Sequence, residues 1–275
     1  MLPSLVVDSA LARRVVLHEA LVHARGGREL RDLGDGMLLL DGTDPEPFWN
    51  RLVAAHWPAD PHEFDRRLDE IVTLFATLGR LPHIRTLPLG GHPPDFEMRL
   101  VRAGFRLVGR DRAMALGDTG PAIALARTIG RRSHLRVEHV GAGATSRAMD
   151  VARILVEAFD VESDRIPGLA AESLAASRRP GGAALLLLDD DRPVAAARRV
   201  TLDGATYLSS IGTIPAVRDR GYASVLTAVA ISEALAEGTG LIHLLAEAGM
   251  PRTERLYARL GFESIGEPIA DLLAR

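Results

Sequence analysis

The sequence predicts an α/β fold of the mixed-sheet, α+β kind, laid out twice along the chain. Three observations predict it. Beyond about residue 134, short β-compatible runs alternate with amphipathic helical ones in regular order. A fainter copy of the same ending stands in the first half: Gly104–Phe105 and Gly261–Phe262 lie 157 positions apart, from 104 to 261. At 275 residues the chain is long enough for one large domain or two small ones, and either could bury a sizeable core.

In the first half, "PHEFDRRLDEIVTLFATLG" from Pro61 has the apolar spacing of a helix, and "HIRTLPL" from His83 reads as a strand. "FEMRLVRAGF" from Phe96 is a helix closed by Gly104, and a strand follows it. Gly, Pro and paired Arg then break the pattern in "GDTGPAIALARTIGRR". The predicted boundaries are a domain over 1–118, a linker over 119–133 and a second domain over 134–275.

In the second half, "LRVEHV" (Leu135–Val140) is a strand, and "ATSRAMDVARILVEAF" a helix with Thr145 as its N-cap. Two β-compatible runs around Asp189–Pro193 make a hairpin, so "DDD" is a turn rather than a metal site. "ATYLSSIGTI" is the next strand, followed by a turn rich in arginine and the helix Tyr222–Glu237. "LIHLLAEA" is a strand, "PRTERLYARLGF" a helix closed by Gly261, and "FESIGE" the last strand.

Composition narrows the function classes. A net charge of -3 and 4% aromatic residues argue against nucleic acid as a partner and against an anionic membrane surface. All 33 basic residues other than histidine are arginine, which removes lysine Schiff-base chemistry. The absence of cysteine removes disulfides, thiolate nucleophiles and Cys-ligated zinc, and "HEFD" lacks zinc-protease spacing, so no metal is expected. No apolar run reaches membrane-spanning length and the N-terminus does not read as a signal peptide, so a cytoplasmic protein is expected.

The turn Arg218-Asp219-Arg220-Gly221-Tyr222-Ala223 carries the clearest chemical signal. A helix N-terminus presents unpaired N–H groups and a partial positive charge, which together favour an anion. Gly221 removes a Cβ where a phosphate must approach, Ala223 keeps the first turn slim, and Arg218 and Arg220 add charge. No P-loop and no G-x-G-x-x-G is present.

Arg218-x-x-Gly221-x-Ala223, followed some thirty residues later by "ERLYARLGF", resembles the GNAT acyltransferase superfamily. The resemblance covers about Leu135 to Ile269 and, in the first half, only the later elements. It implies two GNAT-like domains in tandem, each a twisted, V-splayed mixed sheet flanked by helices, the first degenerate and without a pyrophosphate loop. It implies acetyl-CoA as co-substrate, its pantetheine arm along Gly212, Thr213 and Ile214. The pyrophosphate would then lie on Arg218, Asp219, Arg220, Gly221, Tyr222, Ala223 and Ser224. Tyr257 stands at the position of the family's general acid for the departing thiolate, and the tetrahedral oxyanion would meet a backbone N–H near Ile214. Where the family often has Asn, this chain has Met250, which puts one cofactor contact in doubt, and the Tyr257 position corresponds to Leu100 in the first half.

The implied activity is N-acetylation of a primary amine by direct attack on the thioester. Glu247, ending its strand, is the candidate base, and His243 on the same face of that strand is an alternative. Asp160 and Glu162 stand where an acidic wall would suit a cationic acceptor. Small amines and peptide or protein amines both remain open as acceptors, as do a longer acyl group and assembly as a homodimer. The rival reading is a non-catalytic CoA-binding or scaffold protein with the same fold.

Overall fold

The chain, described by a computed structural model at Leu2 and residues 5–275, opens with helix α1 (Ser9–Ala24). Asp8 caps that helix, its carboxylate accepting from the Leu11 amide at 2.8 Å. Three short strands follow as an antiparallel meander, β1 (Glu29–Asp32), β2 (Met37–Leu40) and β3 (Arg51–Val53). Helix α2 (Pro61–Thr77) buries Phe64, Leu68, Ile71 and Phe75, one apolar stripe at helical spacing. It carries the chain over to β4 (His83–Arg85), parallel to β3, and α3 (Phe96–Arg102) leads into the long strand β5 (Arg106–Leu116). Trp57, Phe64, Phe96 and Leu100 meet Leu38, Leu52 and Ile84 in the core of this part.

From Gly120 a second set of elements begins: α4 (Gly120–Ala126), β6 (Leu135–His139), α5 (Thr145–Phe159) and α6 (Ile166–Ser177). Strands β7 (Gly182–Asp189), β8 (Arg192–Leu202) and β9 (Ala205–Thr213) form the central meander, with β6 antiparallel to β7. The β7–β8 turn rests on Asp190 and Asp191 at φ 45° and 64°, a conformation aspartate tolerates. Helix α7 (Tyr222–Ala236) crosses to β10 (Leu241–Glu247), which pairs in parallel with β9. Helix α8 (Pro251–Arg259) and β11 (Phe262–Ser264) follow, and Gly261 at φ 94° ends α8 as its position predicted. Alternate residues Ala184, Leu186 and Leu188 of β7 pack under Val151, Ala152 and Leu155 of α5, and α4 packs on α7.

The last strand, β12 (Ile269–Leu273), is buried at every position and runs antiparallel to both β4 and β5. The chain therefore divides differently from its predicted boundaries at 118 and 134. One compact unit comprises Val6–Met114, Leu245–Met250 and Ser264–Arg275, and the other Ala115–Leu244 and Pro251–Glu263. The segment predicted as a linker holds α4, whose Ala122 is fully buried. From α1 to β5 the order runs helix, three antiparallel strands, helix, parallel strand, helix, strand, and α6 to β11 run in the same order, with α4, β6 and α5 before them and β12 after. Among the described residues no helix is long and apolar enough to cross a membrane.

Candidate active site

The geometry of the site starts from a divergence of two strands. Strand β9 pairs with β10 only from Ala205 to Leu208, against Leu241 to Leu244, and then continues to Thr213 alongside β8 alone among the described residues. Ser210, at φ 52°, marks a break in β9, and the β8–β9 register shifts between Ala196 and Arg198. The backbone groups on the β10 side of the last β9 residues are thus left for something other than a strand.

Along that segment each residue has a distinct role. Gly212 is buried against α5: a Cβ there would meet the Ala158 Cβ at 2.8 Å and the Phe159 ring at 3.4 Å. Ile214 packs on the same apolar cluster under α5. Its N–H donates to the Val194 carbonyl at 3.1 Å. That amide is therefore committed to β8 and Pro215 has none, so a backbone oxyanion donor near Ile214 would have to be one that faces the open edge of β9. Thr213, between them, turns to the opposite face, and its Oγ1 is buried with no hydrogen-bond partner among the described residues.

After a 3-10 turn over Pro215–Val217, the Arg218 guanidinium reaches back to donate to the Ala158 carbonyl at 2.8 Å, tying the turn to the end of α5. Asp219 (φ 70°) pairs with Arg252 at the start of α8, 2.5 Å away, and Arg220 is exposed. Gly221 is the residue before α7, at φ 80°, with nothing within 4 Å of where a Cβ would stand. Among the described residues no side chain caps the helix, so the amides of Tyr222, Ala223 and Ser224 open its first turn without a carboxylate or hydroxyl upon them. The Tyr222 side chain turns inward instead. It is buried and donates to the Asp189 carboxylate, and this hydrogen bond together with burial pushes the phenol up from its usual range.

The corresponding helix of the first half, α2, is closed to anions. The Asp60 carboxylate accepts from the His62 and Glu63 amides, both at 3.0 Å, and Pro61 supplies no N–H. Two helices in the same place in the element order therefore differ in what their N-termini hold: one carries its own carboxylate, the other is bare.

Tyr257 lies on α8, 7% exposed, with its ring edge-on to Phe262 at 5.8 Å. Burial pushes its phenol well above the ordinary range, so it keeps its proton at any working pH. Leu100, the corresponding residue of α3, is fully buried. Glu247 ends β10 and is exposed, in the segment Leu245–Met250 that groups with the first-half elements. His243 is fully buried and stacks on Tyr207 with ring centroids 5.2 Å apart, which takes it out of consideration as a base in contact with an acceptor. Asp160, at φ 53°, ends α5, and it and Glu162 are exposed, as are Phe159 and Val161 among them. Thr145 is the first residue of α5 and Ala144 its N-cap, with no side-chain hydrogen bond there. Thr213 is one of the residues expected along the coenzyme arm, and what the sequence does not carry is that its Oγ1 has no hydrogen-bond partner among the described residues, which shows only once its neighbours are placed.

Residues 187–269 match a family model described as "FR47-like protein", a stretch that contains the bare helix N-terminus and α8. Among solved structures, a GCN5-related N-acetyltransferase from Kribbella flavida aligns with a TM-score of 0.66 at 23% identity, covering 96% of this chain and 95% of that one. A GCN5-related N-acetyltransferase from Sphaerobacter thermophilus aligns at 0.62 and 17% identity, covering 93% and 84%. A GNAT-family acetyltransferase described from Novosphingobium aromaticivorans aligns at 0.53 and 16% identity, covering 98% and 97%. No curated protein sequence matches the chain.

Proposed function

For a chain with the mixed-sheet fold of the GNAT acyltransferases, we propose acyl transfer from acetyl-CoA to a primary amine as the activity, carried out by its second half. The observation that carries this reading is the bare N-terminus of α7, entered through Gly221 in the left-handed region, directly downstream of a strand whose one edge lacks a partner. A pyrophosphate needs converging N–H donors without side-chain bulk, and the amides of Tyr222, Ala223 and Ser224 supply them. Arg218 and Arg220 add cationic charge on the same turn. The amide-bearing pantetheine arm would complete the edge of β9 past Leu208, as a strand would, along Gly212–Ile214.

The chemistry then asks little more of the chain. A neutral amine attacks the thioester carbonyl and the thiolate leaves with a proton. Tyr257, held neutral by burial, is the residue suited to give that proton, and Glu247, exposed at the end of β10, is the carboxylate suited to receive the one lost by nitrogen directly or through water. The acceptor would be a small-molecule or peptide amine. In the first half the Asp60 cap and Leu100 stand against a second active centre, so that half would serve as scaffold.

Calorimetric titration with acetyl-CoA, and with CoA alongside, tests the reading. One cofactor bound per chain, lost in Gly221→Val, is the expected result; two per chain would assign a site to the first half, and none would overturn the proposal. Binding without thiol release across a panel of primary amines would leave a CoA-binding module in place of an enzyme.

A further inference from the structure

Resting on the acyl-CoA reading above, we infer that Tyr222 is a positioning residue for the coenzyme: its phenol, donating to Asp189, holds the first turn of α7 in the form that receives a pyrophosphate. That turn has little else to hold it. Gly221 enters the helix at φ 80° with nothing within 4 Å of where a Cβ would stand, and among the described residues no side chain caps it. An uncapped first turn frays, and a frayed turn does not converge its N–H groups on one anion.

Residues 218, 219 and 222 are each tied to a different element. Arg218 donates to the Ala158 carbonyl of α5, and Asp219 pairs with Arg252 of α8. Both ties lie in water: Arg218 is exposed, and the side chains of Asp219 and Arg252 are 77% and 56% exposed, so neither restrains the turn strongly. Tyr222 is buried, and its hydrogen bond ends on a carboxylate, which makes it the strongest of the three. The far end of this tether is firm. Asp189 closes β7 opposite Arg192 of β8, and the Asp190 amide beside it donates to the His134 carbonyl at 2.9 Å. The first residue of the helix is thus fastened to the ladder of the sheet.

The choice of side chains points the same way. Phenylalanine would bury the same ring without bringing a carboxylate within one side chain's length of an anion site, where its charge opposes the ligand. The Arg220 guanidinium acts on the same phenol and offsets that charge. Hydroxyl and carboxylate together are explained by the need to fix the turn before the ligand arrives, which lowers the cost of binding.

Calorimetry of the full chain with acetyl-CoA tests this on two pairs of variants. Asp189→Asn and Asp189→Ala both remove the charge, but only asparagine leaves an oxygen to accept the phenol's hydrogen. If the untethered turn is competent about one-tenth of the time, Asp189→Ala binds acetyl-CoA about tenfold more weakly than Asp189→Asn. Tyr222→Phe is weakened relative to wild type, and adding Asp189→Ala to it weakens binding no further. A role in packing alone would lower the melting temperature of the unliganded variants and leave their affinities below the transition alike. Equal affinities in Asp189→Asn and Asp189→Ala, or wild-type affinity in Tyr222→Phe, overturn the assignment and leave the acyl-CoA reading standing. No acetyl-CoA binding by the wild type overturns both.

Discussion

Asp271 of β12 and Arg85 of β4, 186 residues apart in sequence, are joined by two hydrogen bonds of 2.9 Å, Nε to Oδ1 and Nη2 to Oδ2. Arg85 is 1% exposed and Asp271 8%, and His83 Nε2 completes the carboxylate's surroundings at 2.9 Å. Glu19 and Arg51, paired at 2.6 Å and fully buried, stand beside them. The final strand is thus fastened by a buried fork as well as by its backbone ladder. Without Asp271 the Arg85 guanidinium keeps Asp111 and Glu19 but loses both bonds of the fork. Asp271→Ala should lower stability by about 1–3 kcal/mol, read as a shift in the urea midpoint, and an unchanged midpoint would show that the fork holds nothing.

The same carboxylate sets an acid limit. Burial alone would raise it, but His83 and Arg85 outweigh burial and hold it at about 2, below the ordinary 3.8. A carboxyl depressed in the folded state stabilises above its unfolded value and stops doing so as pH falls through the folded one. About 2 kcal/mol is therefore expected to be lost between roughly pH 4 and pH 2. Comparing the acid unfolding of wild type with that of Asp271→Asn isolates it: the variant should show a flatter dependence across that window, and parallel curves would assign the acid sensitivity elsewhere.

The second half's elements were legible because each announced itself locally. Gly221 and Gly261 mark a helix start and a helix end, the Asp190–Asp191 turn separates two apolar runs, and strand and helix periods alternate cleanly. Strand β12 was not legible. "IADLL" has no turn signals of its own and is a strand only because β4 and β5, more than 150 residues earlier, offer it two edges. Helix α4 was mistaken for a linker because Gly120 and Pro121 read as breakers, whereas they occupy the first helical turn, where proline is tolerated. At the candidate site the residue types were visible, but the commitment of the Ile214 amide to Val194 and the isolation of the Thr213 hydroxyl depend on register, which composition does not carry.

Gly212 is set by a helix rather than by the coenzyme arm. An alanine there would bring two Cβ atoms to 2.8 Å, pressing Ala158 and the end of α5 away from β9. Gly212→Ala should cost about 1–3 kcal/mol by overpacking, and Ala158→Gly added to it should recover most of the loss. Equal stabilities for the single and double variants in a denaturant cycle would show that α5 yields freely.

Gly221 separates conformation from contact. Its φ of 80° is costly for a β-branched residue, yet no atom lies within 4 Å of the missing Cβ. Gly221→Val should therefore destabilise by about 1–2 kcal/mol through backbone strain alone, while Gly221→Asn, which tolerates the left-handed region, stays near wild type. If Gly221→Asn keeps its melting temperature and loses acetyl-CoA affinity, the space above the turn is needed for the ligand. Full affinity in that variant would place the pyrophosphate elsewhere.

Tyr257 gives a kinetic signature that a packing role cannot imitate. Its ring is held edge-on to Phe262, so Tyr257→Phe keeps the apolar contact and removes only the hydroxyl. As proton donor to the thiolate, it is expected to contribute about 10²- to 10⁴-fold to the rate of thiol release, with acetyl-CoA affinity unchanged. Because burial raises the phenol above its ordinary value of 10.0, the wild-type rate should show no alkaline fall from this group up to about that pH. A Phe variant with unaltered thiol release would leave Tyr257 as a buried ring and hand the proton to water. A drop in both rate and melting temperature, matched by loss of acetyl-CoA binding, would make its hydroxyl structural.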